Sequence, residues 1–191
     1  MKKTDKTPTE NTITTGSFPA SKKVYVKGKL HDIQVAMREV SLSDTEFNGK
    51  SLPNNPVVIY DTSGPYTDTN IKVDVKKGLE PLREKWIVQR NDVEQLSEIT
   101  SDYGKQRLLK SDLDHLRFAH IRKPYRAKPG MNVSQLHYAK KGIITPEMEY
   151  IAIRENQGIE QMKEIGHQHK GESFGANIPK GLITPEFVRS E

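Results

Sequence analysis

Several stretches of the chain hold residue types that could do chemistry. "HQH" sets His167 and His169 on one side of an extended segment, with Glu172 close behind. Zinc needs more donors than this pair supplies, and no clear further partner stands near. The plainer reading is a polar loop that closes over something. "NGKS", Asn48 to Ser51, ends like a phosphate-binding loop, but that motif requires glycine where Asp44 stands. It reads as a surface turn. In "YDTSGPY", Asp61, Thr62 and Ser63 crowd one turn. Acid beside hydroxyl suggests a nucleophile, yet no histidine lies close enough in sequence to serve as its base, so the stretch reads as structural. His115 and His120 do not share a helix face. His137, between Leu136 and Tyr138, reads as a hydrogen-bonded packing residue. Arg117, Arg122, Lys123, Arg126 and Lys128, interleaved with Phe118 and Tyr125, have the look of a nucleic-acid patch without a recognised motif around them. A solvated face or an intramolecular anchor explains them as well. Asn132-Val133-Ser134 is a glycosylation acceptor, without meaning in a cytosolic protein. No residue is assigned to catalysis, cofactor binding or metal binding.

The elements that would position these residues are short. Residues 1–16, polar and rich in Lys and Thr, are expected to be a disordered tail. Val24 and Val26 flank Tyr25 in a strand that Gly28 closes. Ile33, Val35 and Met37 alternate onto one side of a second strand, until Arg38 and Glu39 break the pattern. Val57 to Tyr60 is expected to be a short buried strand, and Ile71 with Val73 another. Val75, Leu79, Leu82 and Trp86 recur at helical spacing, with Pro81 in the first turn or at a kink. Asn91 to His120 suggests short surface helices, and "IRKPYRAKPG" is extended or looped. Ser134 caps a helix that Gly142 stops. The clearest helix opens at Thr145-Pro146 and runs through Met148, Ile151, Ala152, Ile159 and Met162, with Tyr150 and Ile153 widening its apolar face. A long irregular loop follows. "GLITPEF" (Gly181 to Phe187) then echoes "GIITPEM" (Gly142 to Met148), the same cap used twice, with Ile183 and Val188 spaced to staple the second copy.

Composition restrains the functional reading. Hydrophobic residues make up 34% of the 191 residues, below the roughly 45–50% (glycine included) of an ordinary globular domain even once the 13 glycines are added. Charged residues reach 29%, and mean hydropathy is -0.74. Such a chain has a thin core and invites a larger partner. The net charge of +5 is only a mild basic excess. Without cysteine the chain can form no disulfide and ligate no iron–sulfur cluster. No apolar run is long enough to span a membrane, and the amino terminus is not a secretory signal, so a cytoplasmic setting is expected. Spacing and composition lead to a basic α+β segment: a small mixed or antiparallel sheet with helices, then a helical segment.

A family resemblance extends this reading. "QLHYAKKGIITPEMEYIAIREN" (Gln135 to Asn156), "SFGANIPKGLITPEFVRSE" (Ser173 to Glu191), "VVIYDTSGPYTD" and "RAKPG" (Arg126 to Gly130) closely resemble the N-terminal part of phosphomethylpyrimidine synthase, the ThiC family of thiamine biosynthesis. "SKKVYV" and "VAMREVSL" look like that family's opening strands. The resemblance implies a homodimeric lyase that rearranges aminoimidazole ribotide into hydroxymethylpyrimidine phosphate. It also implies S-adenosylmethionine, a [4Fe–4S] cluster and a histidine-ligated metal ion. The family fold places an α+β domain before a (β/α)8 barrel that carries the active site. By that resemblance residues 17–115 are the N-terminal α+β domain. Residues 116–191 are the helical start of the catalytic region, and the chain is a fragment that stops before the barrel. Its partners would be the barrel and a second subunit, with the ribotide bound only by the full-length enzyme. The family's ligands lie in the barrel and beyond, so none is carried onto this chain, His167 and His169 included. The segment alone is expected to be inactive. A stand-alone dimerisation or regulatory module, or a basic nucleic-acid-binding protein using Arg117 to Lys128, are the alternatives.

Overall fold

The computed structural model describes residues 18–75, 77–117, 122–157 and 181–191. They confirm an α+β mixture of small antiparallel sheets and short helices. The chain divides into two compact units, one drawn from Thr14–Ile71 with Tyr138–Glu191, the other containing Lys72–His137.

The first unit is built on a three-stranded antiparallel sheet of order β1-β2-β5, from β1 (Ser21–Lys27), β2 (Gln34–Val40) and β5 (Val57–Tyr60). The period of two in the sequence decides what each face does. Register pairs Val26 with Val35, Val24 with Met37, and Met37 with Tyr60, so these share one face. Ile33, Val35 and Met37 are fully buried there, as their alternation predicts. Register also pairs Lys23 with Arg38 and Tyr25 with Ala36, and these share the opposite face. Arg38 and Glu39 do not end β2, which runs on to Val40. β5 is half-buried rather than buried, with Ile59 exposed, because it is the sheet's last strand. Between β2 and β5 stands the hairpin of β3 (Thr45–Phe47) and β4 (Lys50–Leu52), exposed throughout. Asn48 and Gly49 turn it with positive φ (50° and 68°), the chemistry of a tight two-residue hairpin turn.

Helix α4 (Pro146–Asn156) packs against the apolar face of β2. Thr145 caps it by accepting the amide of Met148 at 3.3 Å, and Met148 Sδ accepts the Thr145 amide in return. Met148 and Ala152 are buried, but so are Glu147 and Glu149, whereas Ile151 is exposed. The buried face is thus rotated from the apolar stripe expected, because a carboxylate and not a methyl group faces the β1–β2 turn. Ile159 and Met162 lie outside the described residues. Helix α5 (Pro185–Ser190) repeats the cap, with Thr184 accepting the Phe187 amide at 3.1 Å. It packs on α4, and the Asn156 side chain clasps Ile183 from both sides, donating to its carbonyl (2.8 Å) and accepting from its amide (2.7 Å).

In the second unit β6 (Val93–Gln95) pairs antiparallel with β7 (Tyr125–Ala127). The Val75–Trp86 stretch is not one helix. Gly78 takes φ of 69° and Pro81 adds a second break, so helix α1 is confined to Glu84–Gln89. Of the four expected apolar residues Trp86 alone is buried, while Val75, Leu79 and Leu82 are exposed. Ile71 and Val73 form no strand; only Asp74 makes an isolated bridge. The polar stretch expected to hold short helices has α2 (Asp102–Leu108), capped by Ser101, and a 3-10 segment Ser111–Leu116, but its start is strand β6. Helix α3 (Gln135–Lys140) begins after Ser134, whose hydroxyl accepts the His137 amide, and ends at Gly142 with φ of 73°.

Candidate functional site

The densest chemistry in the described residues lies on the polar face of the three-stranded sheet. Lys23, Tyr25 and Arg38 project there, and the loop after β5 folds down over them. Asp61 is the centre. One carboxylate oxygen accepts Arg38 at 3.0 Å and Lys23 at 3.3 Å. The other accepts the Ser63 amide at 2.7 Å and the Ser63 hydroxyl. Arg38 reaches on to Thr67 and to Ser21 Oγ (3.1 Å), and stacks on Phe18 with 5.4 Å to the ring centroid. Lys23 also donates to the Gly64 carbonyl, and Tyr25 donates to Asp68. Gly64 turns with φ of 58° into a short 3-10 segment, Gly64–Thr67.

Electrostatics hold the members of the node in their paired ionisation states. Burial pushes the Asp61 carboxyl up, but the Ser63 bonds and the Lys23 charge outweigh it and hold Asp61 below the usual carboxylate range. The Tyr25 bond, against a smaller opposing effect of burial, likewise lowers Asp68. Burial, then the Asp68 carboxylate, raise the Tyr25 hydroxyl to about 12. Each group is driven toward the ionisation state in which its partners hold it. A general base needs a proton affinity near the working pH, and Asp61 is moved the other way. Its side chain is 2% exposed and that of Lys23 is 6% exposed, so the pair is largely shut off from solvent.

A second anchor joins α4 to the β1–β2 turn. Glu149 accepts the backbone amides of Lys29, Leu30 (2.8 Å) and His31 (2.8 Å), and a fourth bond joins it to His31 Nδ1 (2.8 Å). Successive amides curled about an anion form a nest. Burial works against the carboxylate form, yet these amides and His31 prevail and lower its pKa. Gly28 makes the curl possible: a Cβ there would lie 2.6 Å from both the His31 carbonyl and Ile33. Nearby, the Tyr60 and Tyr150 hydroxyls meet at 3.0 Å with their rings edge to face, and Arg154 covers Tyr60.

The other motifs separate. Asn48–Ser51 is the exposed bend of the β3–β4 hairpin. His115 sits in the 3-10 segment and bonds the Asp112 carbonyl; His120, His167, His169 and Glu172 lie outside the described residues. His137 is half-buried in α3. Among the basic residues, Arg117 binds Asp114 and the carbonyls of Arg107 and Lys110, Arg126 pairs with Glu94, and Lys128 binds Asn91. These three act as intramolecular anchors. Arg122 and Lys123 border an open recess of about 220 Å³ over Ile99, Leu108 and Pro124, smaller than the roughly 300–1,000 Å³ of ordinary ligand pockets. Among the described residues no three His, Asp or Glu side chains gather as metal ligands, and no helix is long and apolar enough to cross a membrane.

Residues 17–94 match the family model of the ThiC-associated domain. The match contains every member of the Asp61 node; Glu149 lies beyond it. This domain links the chain to thiamine biosynthesis, and its occurrence here is what the N-terminal region of a ThiC protein would carry.

Proposed function

We propose that this chain, with its ThiC-associated domain, is the N-terminal region of phosphomethylpyrimidine synthase, and that it scaffolds the enzyme without performing its chemistry. The observation that carries this reading is the Asp61 node. Among the described residues the most concentrated set of charged and hydroxyl groups is committed to fastening a loop onto a sheet, with its carboxylate held between two cations. The reaction assigned to the whole enzyme is the radical conversion of aminoimidazole ribotide to hydroxymethylpyrimidine phosphate. S-adenosylmethionine, a [4Fe–4S] cluster and a histidine-held metal ion serve it. The residues here do not fit the cluster: the chain has no cysteine, and thiolates are its usual ligands. Those groups belong, in this reading, to a (β/α)8 barrel and its cysteine segment. A second subunit completes a cytoplasmic homodimer.

The test is reconstitution. Added to a synthase lacking its own first domain, the chain should form a stable complex and raise product formation. No complex and no gain would overturn the scaffold role. A second reading is a self-standing binding module. The first unit favours it, because its sheet carries the chain's own residues on both faces, α4 on one and the Asp61 loop over part of the other. Co-purification with an intact synthase, without any requirement for a missing domain, is its expected signature.

A further inference from the structure

We draw no further inference here: the strongest candidate, the β3–β4 hairpin that carries Phe47 and Leu52 exposed on one face, is an unpartnered apolar surface, and nothing in the structure shows what covers it.

Discussion

Asp61 shows how one side chain can organise a loop. Lys23 and Arg38 are nearly buried beside it, so removing the carboxylate leaves two cations with little water and no counter-charge. Breaking a buried pair on one side costs on the order of 3–5 kcal/mol. Asp61→Ala should therefore lower unfolding stability by about that amount, read as a drop in the denaturant midpoint. A change near zero would show that solvent reaches the cations. Acidity should act in the same way. The folded pKa values of Asp61, Asp68 and Glu149 lie below their unfolded ones, so the unfolded chain binds more protons at acid pH. Their stabilisation is full above the unfolded values of 3.8 for Asp and 4.5 for Glu, and is lost as pH falls through the folded ones. Tyr25 has the opposite sign. Its folded pKa is raised, so its contribution is present below 10.0 and disappears as pH climbs toward about 12. A stability–pH curve flat across neutrality, falling at both ends, is expected. Little of this was legible in the sequence. Tyr25 read only as the middle of a short strand between Val24 and Val26, and Arg38 as the end of an alternating pattern. Strand register alone brings them together under a loop some forty residues away. The available signal was that Lys23 and Tyr25 alternate with Val24 and Val26, and so had to share a face.

At the scale of elements, local chemistry was readable and its partners were not. Ile33, Val35 and Met37 declare a core face, Asn48 to Ser51 declares a surface turn, and Thr145-Pro146 declares a helix start; each appears as read, the turn as the bend of a hairpin. The orientation of α4 was hidden, because Glu149 is recognised by backbone amides of a turn far upstream, and amides leave no mark in sequence. Glu149→Ala would leave those amides without an acceptor. A hydrogen bond to a charged group contributes about 1.5–3 kcal/mol, and several part-buried ones are lost together, so this should rank among the most damaging single changes, with Glu149→Gln milder. Amide exchange at Leu30 and His31 should rise in both. The two copies of the cap provide an internal control. Thr145 is buried and Thr184 is exposed. Thr145→Ala should cost at least the ~1 kcal/mol typical of a lost cap, and Thr184→Ala less, by thermal melts. Asn156→Ala removes both bonds to Ile183. It should leave the sheet intact while loosening α5, seen as faster exchange in Phe187 and Val188. The failed helix at Val75–Trp86 teaches the converse lesson: apolar spacing proposes a helix, but Gly78 and Pro81 set where it starts.

For the whole molecule, the low apolar content has a visible consequence. The first unit encloses a small core of Ile33, Val35, Met37 and Met148, while large apolar side chains such as Leu82, Leu109, Leu116 and Leu136 stand more than half exposed. Among the described residues so little enclosed apolar surface accords with the proposal that the chain completes a larger assembly. The polar groups around Asp61 and Glu149 are spent on internal fastening, and the proposed scaffold role rests on that. The direct measurement is product formation by the purified 191-residue chain, given aminoimidazole ribotide, S-adenosylmethionine and reduced iron–sulfur reagents. The account predicts no hydroxymethylpyrimidine phosphate above a protein-free control. Turnover by the chain alone, abolished by Asp61→Ala under conditions where that variant stays folded, would contradict it.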